Sequence, residues 1–305
     1  APDPIVDLYI LAFSRGLALN TAAISLENLG GTPLELTFFA GRLDRFCTGD
    51  DFPVLFGAAP FSTSMRGFMV YPEGIGGDTS RSYDGLHSVF GTGIRMGLSG
   101  GSVVPYLYLY QDLWLGPGIY SSDARVLINT DKVKLEAFVG ASFPQSVAGL
   151  YRGGLLFYYD TGSIGDFYAQ VGLPRWDPSS PFSAELLYFL FEPRIHFGFG
   201  SLTLSLFFRP SWYLFVPTGD QGALDMRVDL SFGTLTEQGI QGGAETRIKY
   251  RPDATGGPVS VEAAPYLQLM IGGVRLDMRM DLALFPVPEP WYALFMPAVG
   301  IRAAY

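Results

Sequence analysis

Residues 273–285 alternate without a break. Val274, Leu276, Met278, Met280, Leu282 and Leu284 hold one parity, while Arg275, Asp277, Arg279 and Asp281 hold the other. Successive side chains of a β-strand point to opposite faces, so this segment has one apolar face and one ionic face. The same pattern runs through 132–143, 183–199, 201–215, 222–234 and 239–250. A soluble sandwich would bury the apolar face, whereas a membrane barrel would turn it to lipid and enclose the ionic one.

Composition separates the two. Of 305 residues, 48% are hydrophobic, 15% aromatic and only 16% charged, against about 25% charged in ordinary soluble domains. The purely apolar runs are short, such as Leu186–Phe191, far below the roughly 20 residues of a membrane-spanning helix. So many apolar strand faces are too much for one soluble core. The net charge of −9 argues against a nucleic-acid partner, and a single cysteine, Cys47, excludes a disulfide framework or a cysteine metal site. The opening Ala1-Pro2-Asp3-Pro4 reads as a mature chain after removal of a signal peptide.

Turn signals punctuate the strands in two alternating kinds. Tight ones fall at 30–33, 100–101, 130–132, 162–165, 200–201, 237–239 and 272–273. Looser connections fall at 115–120, 144–147, 175–182, 216–221, 251–258 and 286–290. A strand at 4–13, seven hairpins and a strand at 291–305 make about 16 strands. The expected fold is therefore all-β: a transmembrane antiparallel up-and-down β-barrel of about 16 strands, with about 14 or 18 as the alternatives. It spans 1–305 as one unit. Parity slips near Asn20, and in 102–114 tyrosines take one face while Val, Pro and Leu take the other. Trp114, Trp176, Trp212 and Trp291 all fall at the loose-loop ends, as an interfacial girdle requires. By parity Trp212 and Trp291 face lipid, and Trp114 and Trp176 do not.

The last residues, Val299-Gly300-Ile301-Arg302-Ala303-Ala304-Tyr305, place apolar residues two, four and six positions before a terminal aromatic. This resembles the assembly signal of bacterial outer-membrane barrels, with Tyr305 in place of the commoner Phe. With the even-strand rhythm, the chain resembles a bacterial outer-membrane porin-type β-barrel. That resemblance implies membrane lipid and the outer-membrane assembly machinery as partners, and it makes a homo-trimer the oligomer to test.

Parity also lists what the lumen holds. Arg209, Arg227, Arg247, Arg275 and Arg279 form a basic ladder. Glu192, Asp225, Asp229, Glu245, Asp277 and Asp281 share the same face, with Arg125, Arg152, Asp123 and Glu136 on earlier strands. Charges in an apolar core cost several kcal/mol, so this face is expected to be wet. The ladder either guides anions or is neutralised by the neighbouring carboxylates. Residues 44–85 are the longest non-alternating stretch and carry Asp44, Asp50, Asp51, Glu73, Asp78 and Asp84. Loops this long are usually functional. The similarity to general porins implies a constriction loop folded into or over the lumen, its carboxylates opposing the ladder, although here it follows the third strand rather than a later one. An outside cap and an extra hairpin near Met65–Tyr71 are the alternatives.

Catalytic chemistry is sparse. His87 and His196 are the only histidines and lie far apart in sequence, too few for a metal site. No Ser/His/Asn spacing suggests a hydrolase, Gly74–Gly77 lacks the Lys of a phosphate loop, and Thr48–Asp51 reads as a solvated turn before it reads as a calcium loop. The expectation is a channel, not an enzyme. It needs no cofactor or metal and passes small hydrophilic solutes or ions. The alternative is a structural or surface-lattice barrel closed by residues 44–85, and a hydrolase ranks last.

Overall fold

The computed structural model describes residues 3–13, 16–57, 85–144, 149–213, 216–217, 222–234, 238–252, 254 and 256–303. Its strands are β1 (Asp3–Phe13), β2 (Gly16–Glu27), β3 (Leu34–Phe46), β4 (His87–Leu98), β5 (Val103–Asp112), β6 (Tyr120–Asn129), β7 (Val133–Phe143), β8 (Leu150–Asp160), β9 (Gly165–Trp176), β10 (Tyr188–Phe197), β11 (Gly200–Phe208), β12 (Trp212–Tyr213), β13 (Val216–Pro217), β14 (Leu224–Gly233), β15 (Gln238–Tyr250), β16 (Val259–Ile271), β17 (Val274–Phe285) and β18 (Phe295–Ala303). Sixteen form one antiparallel sheet in sequence order, and β12 and β13 make a separate small hairpin. One short helix, α1 (Phe52–Phe56), follows β3. No helix among the described residues is long and apolar enough to cross a membrane.

The burial pattern is inverted relative to a soluble protein. On β7, Val139 is 63% exposed, while the inward Glu136 is fully buried. Ile240 on β15 is as exposed as Val139, and Ile24, Phe38, Leu107, Leu109, Ile195 and Val299 also lie outward and exposed. The opposite face hides Asp112, Asp123, Arg125, Arg152, Gln170, Glu192, Arg227 and Asp277. An apolar outer surface around an ionic interior calls for a hydrocarbon solvent, so this is a transmembrane up-and-down β-barrel. Aromatic bands flank it. At the long-loop end, Phe143, Tyr151, Trp176 and Phe182 form a row with ring centroids 6.1 Å apart. At the tight-turn end, Phe197, Phe199 and Phe232 stack together.

The irregular places have local causes. The parity slip near Asn20 is a β-bulge: Tyr9 pairs with Thr21 and Ile10 with Leu19, leaving Asn20 unpaired in the ladder. A second bulge between Tyr151 and Gly153 pairs Tyr151 with Trp176. It turns Trp176 into the outward aromatic row, which corrects the expectation that Trp176 avoids lipid. On β5, Tyr106, Tyr108 and Tyr110 face in and Leu107 and Leu109 face out. The strand expected over 201–215 stops at Phe208, before Pro210, which has no N–H for a ladder. Trp212 therefore sits on the β12–β13 hairpin rather than on the wall. The last strand starts at Phe295, not 291. Trp291 lies in a 3-10 turn after Pro288 and Pro290, at the barrel rim. Tyr305 lies outside the described residues.

A lipid-facing wall predicts an asymmetric response to charge. Val139→Arg should cost about 2–4 kcal/mol at mid-bilayer depth and suppress refolding into vesicles. At an equally exposed position of a water-soluble protein the same change would be nearly neutral. Urea-dependent refolding into lipid vesicles measures the difference.

Candidate functional site

The interior is divided by the chain that follows β3. Gly41 adopts φ +104°, and the β2–β3 ladder ends there. The β3–β4 ladder is bulged between Arg42 and Arg45 before Arg45 and Phe46 pair with Ser88 and His87, so the end of β3 turns inward together with the start of β4. The Cys47 carbonyl accepts a hydrogen bond of 2.5 Å from Gln170 Nε2, half-way along β9. The Phe56 carbonyl accepts one of 3.3 Å from Asn129 Nδ2, at the tight-turn end of β6. The segment thus descends from the long-loop end through the interior. Its return is anchored too, because Tyr213 donates 2.7 Å to the Gly85 carbonyl.

Apolar contacts hold both limbs. Phe46 lies about 5 Å, ring to ring, from His87, Tyr108 and Phe138, and the Arg125 guanidinium lies 4.8 Å above it. Leu86 seats on β8 and β9 over Gly154 and Gly172, which pair across the two strands. A Cβ on either glycine would meet Leu86 Cδ1 at 2.5 Å. Phe46, Leu86, Leu156, Leu190 and Phe207 have no exposed surface. These inward apolar residues interrupt the polar parity of their strands because they face protein rather than water. That interruption is the sequence signal which would have revealed the seat.

Beneath the segment the ionic face is sealed, which corrects the expectation of a uniformly wet lumen. Asp123 on β6 takes Arg152 on β8 in a two-pronged pair, Nε–Oδ1 2.7 Å and Nη2–Oδ2 2.8 Å. Gly140 on β7 lies between them in register, and a Cβ there would stand 1.7 Å from Asp123 Oδ1. The pair therefore crosses an intervening strand only because that position has no side chain. Tyr110 donates 2.8 Å to Asp123 Oδ2, His87 Nε2 lies 3.3 Å from the same oxygen, and Arg152 also reaches Ser142, which continues to Ser121 and Asp112. A second cluster joins Arg125 to Glu136 at 2.8 Å, Tyr108 to Asp44 at 2.8 Å and Arg95 to Asp44 at 3.0 Å, with Glu35 on the other side of Arg95. Buried charges at such distances are held by mutual pairing and added hydrogen bonds.

The wall from β11 to β17 carries the ladder. Arg227 stands directly opposite Arg247, and Asp229 opposite Glu245. Like charges in direct register repel, and the side chains resolve this diagonally. Arg227 Nη2 meets Glu245 Oε2 at 2.6 Å, and Arg279, from two strands away, reaches the same oxygen at 3.4 Å. Tyr266 lies across Gly243 to donate 3.0 Å to Asp229. Arg209 lies 3.7 Å from Asp225, Arg275 2.8 Å from Asp277, and Arg279 also pairs with Asp281. Arg247 faces Glu262 across the β15–β16 ladder, and Glu192 takes Arg194 at 2.7 Å and Ser205 at 2.6 Å.

Other expected residues fall elsewhere. Asp44 belongs to β3, not to the loop, and Asp51 pairs with Arg45 at 2.6 Å, so neither opposes the ladder. The Asp50 side chain, Glu73, Asp78, Asp84, Gly74–Gly77 and Met65–Tyr71 lie outside the described residues. His87 is 2% exposed on β4, and His196 lies exposed on β10, 4.0 Å from Asp166. Among the described residues no group of three His, Cys, Asp or Glu is placed to hold a metal ion. Trp114 packs on Phe90 at 5.1 Å, under the Arg42 guanidinium, in the β5–β6 connection.

No family model and no curated protein matches the chain. Among solved structures it is similar to Wzi of Escherichia coli, described as an outer-membrane protein of group 1 capsule assembly and a carbohydrate-binding β-barrel. The identity is 13% and the TM-score 0.41, over 90% of this chain and 68% of that one. At that distance the likeness transfers no residue role.

The crossing over Gly140 is testable. Gly140→Val pushes the Asp123 carboxylate away and strands Arg152 in the sealed layer, a loss of about 3–5 kcal/mol. Gly242→Ala, where an added Cβ meets only ordinary contacts, should change stability by less than about 1 kcal/mol. Urea titration of the refolded barrel in vesicles reads both.

Proposed function

We propose that the chain is a bacterial outer-membrane channel for small hydrophilic solutes or ions, narrowed by the inward connection between β3 and β4. The observation that supports this most is the asymmetry of the interior. Around Phe46 and Leu86 it is dry, but on the β15–β17 wall Arg275 and Glu262 reach solvent, 31% and 44% exposed at the side chain, while Glu245 and Asp277 beside them stay buried. A cleft of about 490 Å³ beside α1, lined by Asp44, Arg45, Asp51 and Arg125, adds polar space next to the constriction. Sixteen strands enclose more width than one such segment fills. The passage then runs along the β14–β17 wall. In this reading the chain is not an enzyme: His87 is sealed behind Tyr110 and Asp123, out of reach of a substrate.

A structural barrel with a closed lumen is the second reading, favoured by the complete burial of Phe46, Cys47 and Leu86 inside the sheet.

Planar-bilayer recording of the refolded full chain separates the two. The channel reading predicts discrete conductance steps that grow when residues 50–80 are deleted. Because bases and carboxylates pair along the wall, it also predicts a reversal potential near zero in a salt gradient, shifted toward cation preference by Arg275→Gln. Silence of the intact chain with steps only after the deletion would assign the closed barrel. Silence of both would end the channel proposal.

A further inference from the structure

Arg42 points to the lipid side of a wall that turns its neighbouring charges inward. Val89 is fully buried in the interior cluster, so Phe90 faces out. Arg42 pairs directly with Phe90, in the last step of the β3–β4 ladder before the bulge, and paired residues share a face. Arg42 therefore stands at the long-loop end of the outer wall, and it is exposed. Its guanidinium lies 5.6 Å from the centre of the Trp114 ring, which packs on Phe90 at 5.1 Å. Arg42 makes no ion pair among the described residues, and stacking leaves the N–H edge of a guanidinium available for an oxyanion. The adjacent outward positions, Ala40, Thr92 and Gln111, are uncharged, so an anion arriving there meets no carboxylate.

Directly below this cation the outer wall is hollowed. A mainly apolar groove of about 420 Å³ is lined by Thr92, Ile94, Leu109, Ser122, Tyr120 and Phe143. It starts at Thr92, two residues or roughly 7 Å along β4 from Phe90. Ile94, Leu109 and Ser122 stand in one row across β4, β5 and β6, and Tyr120 pairs with Phe143 on β7. The short Ser122 leaves the hollow, while Leu109 and the Tyr120–Phe143 pair form its banks.

The order along the membrane normal selects the occupant. Long loops of such barrels face outside, and interfacial aromatics mark headgroup depth. Arg42 and Trp114 thus lie at the outer headgroups, with the groove running toward the bilayer centre, as an acyl chain does. The fit is an amphiphile with an anionic oxygen group above and hydrocarbon below. In the outer leaflet that chemistry belongs to the phosphorylated glycolipid which builds it. We propose that the outer face of β3–β7 docks one such multiply acylated glycolipid, with a phosphate on Arg42 and an acyl chain in the Ser122 groove. The inference rests on the barrel lying in an outer membrane with its long loops outside, and it is independent of conduction.

Native mass spectrometry of the refolded full chain in detergent micelles tests this, with bisphosphorylated lipid A, dephosphorylated lipid A and phosphatidylglycerol as probes. One bisphosphorylated molecule should bind saturably, about tenfold tighter than either of the others, as loss of one charge-assisted hydrogen bond implies. Arg42→Gln should weaken it about tenfold and abolish the preference for the phosphorylated form, whereas Arg42→Lys should keep that preference. Ser122→Phe, which fills the groove, should weaken all three probes. Each variant should retain the heat-modifiable gel mobility of the folded barrel. Equal binding of the phosphorylated and dephosphorylated forms, unaltered affinity in Arg42→Gln and Ser122→Phe, or non-saturable uptake would overturn the proposal. Phosphatidylglycerol binding as tightly would assign a general anionic-lipid contact instead. A dimer or trimer mass that Ser122→Phe dissociates would assign the groove to a second copy of the chain. Either result also overturns it.

Discussion

A sheet that turns hydrocarbon outward must settle its charges on the other face. There each ion has two recourses, water or an opposite charge. The chain uses both, on different walls. Under the inward segment, Asp123 with Arg152 and Glu136 with Arg125 are closed off from solvent. Along β15–β17, Arg275 and Glu262 keep part of their surface in water. Away from that segment most charges are closed off as well, Asp225, Glu245 and Asp277 among them, and are held by pairing with Arg209, Arg227 and Arg275.

Strand registry explains how the dry side tolerates its charges. Arg125 and Glu136 meet between adjacent strands, whereas Asp123 and Arg152 sit two strands apart and reach each other across Gly140, a position without a side chain. Tyr266 and Asp229 use Gly243 in the same way on the opposite wall. Such bridges tie three strands at once, so each pair also fixes register. Gly154 and Gly172 use the same device for a hydrophobic contact, forming the seat of Leu86. Small residues on the inner face thus mark where something crosses the wall.

The strand order was legible because alternation fixes both the number of segments and the face each residue takes. Asn20 showed its bulge as a break in parity. Pairing was less legible, because parity says which face a charge occupies and not which neighbour it meets. Arg227 stands opposite Arg247 in the ladder and yet bonds diagonally to Glu245. The fate of Asp44 was hidden for another reason. The bulge between Arg42 and Arg45 changes the direction of β3 without a turn signal, so residues that read as loop remain strand while already inside. The inward Phe138, Leu156, Leu190 and Phe207 break the polar parity, but their meaning emerges only when they are set beside Phe46 and Leu86.

The most direct test of lipid outside and ions inside is a spin-label scan of β14 in a Cys47→Ser background, with the barrel refolded in vesicles. Labels at 226, 228 and 230 should collide with oxygen, which concentrates in the acyl layer, and be shielded from a water-soluble nickel chelate. Labels at 225, 227 and 229 should show the reverse or be shielded from both. Equal nickel accessibility at the two parities, or oxygen preference at the odd positions, would contradict the inverted arrangement.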